Sequence, residues 1–208
     1  MYLLPKPQQE KWYEGSYMIR YDGCIVMEET GDVDGYPYMK MLQKEVEEDT
    51  GIRLKLRQGG SKKADITLRI DLRKDPQKND FERAEAYTLI VNQKGIWLNA
   101  ADKSGLIYGI QTLRQMIRQK GACIPCVKIS DYPSFPVRGL FYDVTRGRIP
   151  TLDYLKKLAD CMVYYKMNQL QLYIEHSFLF ESLSEVWRDD TPLTAEHIME
   201  FDRYCSVR

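Results

Sequence analysis

The chain has 208 residues, 44% of them hydrophobic and 29% charged, proportions that support a folded core in one or two domains. Thirty basic residues balance thirty acidic ones, so the basic excess expected of a nucleic-acid binder is missing. No stretch approaches the roughly 18 consecutive apolar residues of a membrane span, and the opening Met1-Tyr-Leu-Leu-Pro-Lys-Pro7 lacks the apolar centre of a signal peptide. A soluble, cytoplasmic chain is therefore the expectation.

Tyr17 to Met27 alternates and is rich in strand formers, which predicts a strand pair or one bent strand. Gly31 to Gly35 reads as a polar turn. From Tyr38, apolar residues recur at Met41, Leu42 and Val46, the spacing of a helix buried on one face, and Gly51 ends it. Ile52 to Leu56 and Ile66 to Leu72 alternate like half-exposed strands, the second with Ile66, Leu68 and Ile70 on one side. Asp75 to Asp80 reads as a loop. Tyr87 to Val91 and Ile96 to Ala100 flank Asn92-Gln-Lys-Gly95, a hairpin with glycine where a left-handed conformation is wanted. Asp102 or Ser104 is placed to cap a helix running to about Gln119, with Ile107, Ile110, Leu113 and Ile117 inward. Residues 1–130 thus read as a small α/β domain with a mainly antiparallel sheet and two helices. The basic clusters Arg53-Lys55-Arg57 and Lys62-Lys63 read as solvated faces.

Five cysteines, an odd number in a chain of this length, do not suggest a disulfide framework. Cys123-Ile-Pro-Cys126 has CxxC spacing, but no second pair or suitable histidine follows it, and it does not open a helix after a strand. Ordinary reduced thiols are expected, and no metal or organic cofactor.

The prolines around Ile129 to Pro136 mark a connector, and the pattern changes after it. Val137 to Tyr142 reads as a strand buried on both faces. Thr151 caps a helix with Leu152, Leu155, Leu158, Ala159, Met162 and Val163 inward. Asn168 to Ile174 reads as a second buried strand, and Thr194 starts a helix carrying Ile198, Phe201 and Tyr204. Strand, helix, strand, helix is the opening of a parallel sheet or barrel.

Here the sequence resembles a known family. Asp131-Tyr-Pro-Ser-Phe-Pro-Val-Arg-Gly-Leu-Phe-Tyr-Asp-Val-Thr-Arg146 is similar to the segment in which D-x-P-x-F-x-x-R-G leads into D-[VT]-[ST]-R in family 20 glycoside hydrolases, the β-N-acetylhexosaminidases. Tyr165-Lys-Met-Asn-Gln-Leu-Gln-Leu-Tyr173 resembles that family's second barrel strand. Upstream, Glu85-Ala-Tyr-Thr-Leu-Ile-Val91, Gly95-Ile96 and Ser104-Gly-Leu-Ile-Tyr-Gly-Ile-Gln-Thr-Leu113 resemble the small α/β domain that precedes the barrel, and Leu4-Pro-Lys-Pro7 resembles its opening.

The resemblance implies a (β/α)8 TIM barrel with its active groups at the C-terminal ends of the strands. Such a barrel takes about 200 to 250 residues, and only residues 131–208 follow the small domain, so they are expected to be its truncated start, two β/α units. Arg146 is implied to bind sugar hydroxyls, which suits the fixed fork of guanidinium donors. Read from the residues alone, Arg146 can instead pair with Asp143 to brace the strand end, and Asp143 can orient Arg146 or buttress its loop. Arg138 starts the strand and reads as structural. Where many members have H-[LW]-x-D-D, this chain has Tyr173-Ile-Glu-His-Ser177. Glu175 and His176 fall at that strand end, where either can meet substrate; His176 reads equally well as a satisfied loop histidine.

The implied partner is a glycan bearing N-acetylhexosamine, cleaved with retention through attack by its own acetamido oxygen. In the family an adjacent Asp-Glu pair orients that group and supplies the acid/base. No Asp-Glu in a G-x-D-E context occurs here; Glu47-Glu48 and Asp189-Asp190 fall on a helix face and in a loop. No catalytic residue is assigned, and the 208 residues are expected to be an inactive N-terminal fragment. Barrel strands without neighbours leave open edges, so self-association is expected. Two other readings stay open: another glycosidase family with this two-domain start, such as an α-glucuronidase, or a non-catalytic carbohydrate-binding or scaffold module. For the module, Trp12, Trp97 and Trp187 form no visible stacking stripe.

Overall fold

A computed structural model describes residues 1–28, 34–59, 64–71, 84–187 and 191–208. The chain divides into two compact units, Met1–Ser134 and Phe135–Arg208. The turn expected at Gly31 to Gly35 falls largely outside the described residues, as do Lys62-Lys63, the Asp75 to Asp80 loop and Asp189-Asp190.

The first unit runs β1 (Gln9–Met18), β2 (Cys24–Met27), α1 (Tyr36–Thr50), β3 (Lys55–Gln58), β4 (Ile66–Ile70), β5 (Tyr87–Asn92), β6 (Gly95–Ala100), α2 (Lys103–Lys120) and β7 (Cys123–Asp131). Its seven strands form one sheet in the order β1-β7-β5-β6-β4-β2-β3. The ladders β1/β7, β7/β5 and β5/β6 are antiparallel, whereas β6/β4, β4/β2 and β2/β3 are parallel. The expectation of a mainly antiparallel sheet is corrected: the sheet is evenly mixed. Parallel neighbours need a long crossover, and α1 supplies the one between β2 and β3.

Local chemistry explains the helices. Gly51 ends α1 in a left-handed conformation, φ 72°, with its N–H donating to the Glu47 carbonyl. Asp102 caps α2: its carboxylate accepts from the Gly105 N–H at 2.7 Å and the Glu85 N–H at 2.8 Å. Twelve residues of α2 are buried, Leu106, Ile110, Leu113 and Ile117 completely, against the sheet face that carries Leu89, Leu98 and Ile129. At Gly109 a Cβ would stand 2.3 Å from the Leu98 Cδ1, so the glycine sets how closely helix and sheet approach.

The expected strand pair over Tyr17 to Met27 is instead the end of β1 and all of β2, which do not pair with each other. Between them the chain folds over Asp65, which is fully buried. Its carboxylate accepts from the Tyr17 hydroxyl (2.6 Å), Arg20 Nε (3.0 Å) and Nη2 (2.9 Å), and the Arg20 and Cys24 N–H groups. Burial alone pushes the Asp65 carboxyl up, but the bonds from Arg20, Tyr17 and the backbone outweigh it and hold it below the usual range. Burial and the same carboxylate push the Tyr17 hydroxyl up to about 12.

The second unit runs β8 (Gly139–Asp143), α3 (Leu152–Tyr164), β9 (Gln169–Tyr173), a 3-10 turn (Glu181–Leu183), α4 (Ser184–Trp187) and α5 (Ala195–Cys205). Thr151 and Thr194 cap α3 and α5, as expected. β8 and β9 are parallel, with Phe141 opposite Gln171 and Asp143 opposite Tyr173. Val144, Leu155, Ala159, Leu193 and Phe201 form a core against which Tyr142, Leu170 and Leu172 pack. The expectation that both strands are buried on both faces is corrected. Leu140, Tyr142, Leu170 and Leu172 are half-buried, and Phe141 on the other face is 59% exposed. α3 and α5 contribute to this core, on the side of the two-stranded sheet that carries Tyr142, Leu170 and Leu172. Arg138 ties the strand starts together, its Nε donating to the Lys166 carbonyl (2.7 Å) and an Nη to that of Phe135 (2.8 Å).

Candidate functional site

Tyr142, Leu170 and Leu172 pack on the core, and Leu140, the strand partner of Leu170, shares their face by alternation. Phe141, Asp143 and Tyr173 therefore share the open face, near the C-terminal ends of both strands. Arg146 follows β8 and Glu175 follows β9.

These side chains form one network. The Arg146 guanidinium donates to Asp143 Oδ2 and to Glu175 Oε1, each at 2.9 Å. It also lies over the Tyr173 ring, 5.3 Å from the centroid, and the Tyr173 hydroxyl donates to the same Glu175 oxygen. Asp143 Oδ1 accepts from the Thr145 and Arg146 N–H groups at 2.8 and 3.1 Å, folding the chain after β8 into a tight turn. The Thr145 hydroxyl stitches that turn to β9: it accepts from the Glu175 N–H at 2.9 Å and lies 3.3 Å from the Ser177 hydroxyl. Phe141 packs against Tyr173 with ring centroids 5.8 Å apart.

The electrostatics follow from these contacts. The Thr145 N–H and then the Arg146 guanidinium hold the Asp143 carboxyl below its ordinary value. For Glu175 the Tyr173 hydroxyl is the larger cause and Arg146 the second, with the same direction. The guanidinium's hydrogen bonds to Asp143, Tyr173 and Glu175 raise the Arg146 pKa further. At neutral pH the site is two carboxylates around one cation. Arg146 remains 63% exposed, so its side chain is open to solvent while two carboxylates fix its direction. Such a fork can engage two adjacent hydroxyls, with the carboxylates as acceptors beside it.

Of the sequence-predicted site residues, Asp143, Arg146 and Glu175 come together. Pairing with Asp143 and exposure for binding coexist at Arg146. His176 is half-buried and takes no part in the network. Tyr173 and Thr145 were not anticipated as site residues. Alternation was the available signal for Tyr173, since it places that residue on the face opposite Leu172. Cys123 is exposed and Cys126 buried, both within β7, and both thiols are free. Among the described residues no cluster of three or more His, Cys, Asp or Glu side chains could hold a metal ion.

The profile of glycosyl hydrolase family 20, domain 2, matches residues 1–132. The β-hexosaminidase of Akkermansia muciniphila is 44% identical over 93 residues, 43% of this chain and 19% of that protein. Among solved structures, the family 20 β-N-acetylhexosaminidase of Streptomyces coelicolor superposes with a TM-score of 0.80 at 21% identity, over 99% of this chain and 44% of that one. The exo-β-N-acetylglucosaminidase of Vibrio harveyi, solved with N-acetylglucosamine, gives 0.77 at 19% identity, over 99% of this chain and 34% of that one. At such identities the structural likeness is one of fold. This chain belongs to glycosyl hydrolase family 20. It spans less than half the length of each of these relatives.

Proposed function

We propose that residues 1–208 are the N-terminal part of a β-N-acetylhexosaminidase that removes terminal N-acetylhexosamine from glycans. In this reading unit 1 is the family's small α/β domain and unit 2 is the start of its (β/α)8 barrel. Arg146, steered by Asp143 and Glu175, grips adjacent ring hydroxyls of the terminal sugar. The observation that carries the reading is this network at the C-terminal ends of two parallel strands, in a chain of this family. Barrel sites are built at that end of the strands.

Hydrolysis in this reading is substrate-assisted and uses an acid/base pair outside residues 1–208. Within them, Glu47 and Glu48 lie on α1 and pair with Arg53 and Lys44, so they do not form a catalytic pair. The 208-residue chain by itself is then inactive, and the open face around Phe141 favours self-association. The test compares this chain with a longer product of its gene on p-nitrophenyl N-acetyl-β-glucosaminide. Activity in the longer chain, lost on Arg146→Ala, supports the reading. Activity in the 208-residue chain, or a longer chain inactive on this and related sugars, overturns it.

A further inference from the structure

The sheet face of unit 1 opposite α2 carries a second candidate site. Strand partners share a face, and Lys11, Lys128, Ile90 and Trp97 are successive partners across β1, β7, β5 and β6. Because α2 packs on Leu98 and Tyr87, this row stands on the other side. Register shifts between Trp12 and Ser16 make a bulge in β1, with Gly15 at φ +92°. The Cβ position of Gly15 lies 2.9 Å from Gln93 Nε2, which sets the bulge beside the β5–β6 turn. A cleft of about 520 Å³ lies there, lined by Tyr13, Ile90, Gln93, Lys94, Cys126 and Lys128, with Glu14 as its acidic group. That volume is inside the range of about 300 to 1,000 Å³ of ligand pockets.

The charges identify the ligand. Lys11 and Lys128 are directly paired across β1 and β7, an arrangement of like charges that costs stability. The Lys11 ammonium rests over the Tyr13 ring, 5.4 Å from its centroid. Among the described residues, neither Lys94 nor Lys128 has an ion-pair partner. An anionic group at this end of the cleft would relieve the repulsion. The rest of the lining pairs an aromatic ring and an aliphatic side chain with the Gln93 amide, a mixture suited to a ring with C–H faces and hydroxyls. A peptide adding to the sheet would need a free strand edge, whereas this cleft lies on the face. A nucleic acid would need a long basic stripe, and the chain's net charge is zero.

We propose that this cleft binds an acidic oligosaccharide, with a carboxylate or sulfate at the Lys128 end, where Lys11 is the cross-strand partner, and a sugar ring against Tyr13. The proposal uses none of the residues around Arg146 and stands or falls separately from the hydrolase reading. The test is amide NMR of the full 208-residue chain, titrated with a 6-sulfated chondroitin disaccharide, N,N′-diacetylchitobiose and sodium sulfate. The expected result is saturable shifts from the sulfated disaccharide, centred on residues 90–94 and 126–128. Diacetylchitobiose and sulfate should each bind about tenfold more weakly or not at all, as should the sulfated disaccharide to Lys128→Gln or Tyr13→Ala. Both replaced side chains are exposed, and mapping on the unaltered chain stands even where a variant folds poorly. Equal binding of sulfate alone, equal binding of the neutral disaccharide, shifts centred elsewhere, or no shifts would each overturn the proposal.

Discussion

Replacing Asp65 with alanine tests how unit 1 is held together. The substitution leaves the Tyr17 hydroxyl and the Cys24 N–H, both buried, without their acceptor, while Arg20, with a half-exposed side chain, turns to water. Two orphaned buried donors at about 1 to 3 kcal/mol each give an expected loss of about 3 kcal/mol. With a urea dependence of about 2 kcal/mol per molar, the midpoint should fall by about 1.5 M. Trp12 and Trp97 lie in unit 1 and Trp187 in unit 2, so tryptophan emission in a Trp187→Phe background isolates the relevant transition. The effect should depend on pH in a defined direction. The folded carboxyl is held below its unfolded value of about 3.9, so its contribution is complete above that pH and is lost as pH falls through the folded value. The gap between wild type and Asp65→Asn should be flat near neutrality and narrow below about pH 4. A midpoint shift under about 0.5 M, or a gap that widens in acid, would refute the assignment of Asp65 as the lock of this unit.

Three further outcomes are expected. Gly105→Ala would place a Cβ 2.4 Å from the Ala86 carbonyl oxygen, and backbone there cannot swing aside, so thermal unfolding should show a loss of about 1 to 3 kcal/mol. Native-state alkylation followed by mass spectrometry should label Cys123 and Cys161 first and Cys24 and Cys126 last; rapid labelling of Cys126 would contradict the packing of β7. Tyr173→Phe removes the chief hydrogen bond holding the Glu175 carboxyl down, so its pKa, followed by carboxyl-carbon NMR, should rise toward the ordinary glutamate value. An unmoved value would mean that Arg146 alone governs Glu175.

The parts of the fold legible in the sequence were those whose signal is local. The β5–β6 hairpin, the Asp102 cap of α2 and the Thr151 cap of α3 each rest on a few adjacent residues, and the structure has all three. β7, and β1 before Tyr17, carry no strand signal in the sequence. β1 is an edge strand with nine of its ten residues exposed, so it lacks the alternation that marks a half-buried strand. β7 contains Pro125, which reads as a break; it is tolerated because the β5 ladder ends at Val127 and only β1 continues alongside. The parallel half of the sheet depends on pairings among β2, β3, β4 and β6, whose register no local pattern states. The apolar Leu140-Phe-Tyr142 run suggests burial on both faces and Leu170, Leu172 and Ile174 add to that expectation, yet only alternate residues meet the core. At the site, the strand-end positions of Asp143, Arg146 and Glu175 were legible, while the roles of Tyr173 and Thr145 appear only when β8 and β9 stand in register.

The most direct measurement is the rate of p-nitrophenyl N-acetyl-β-glucosaminide hydrolysis by a longer product of the gene, with and without Arg146→Ala, beside the 208-residue chain. The account predicts hydrolysis by the longer chain, a kcat/KM lowered about a hundredfold or more by Arg146→Ala through loss of two charged hydrogen bonds to sugar, and no turnover by residues 1–208. Turnover by residues 1–208, or full activity in the Arg146→Ala chain, would contradict it.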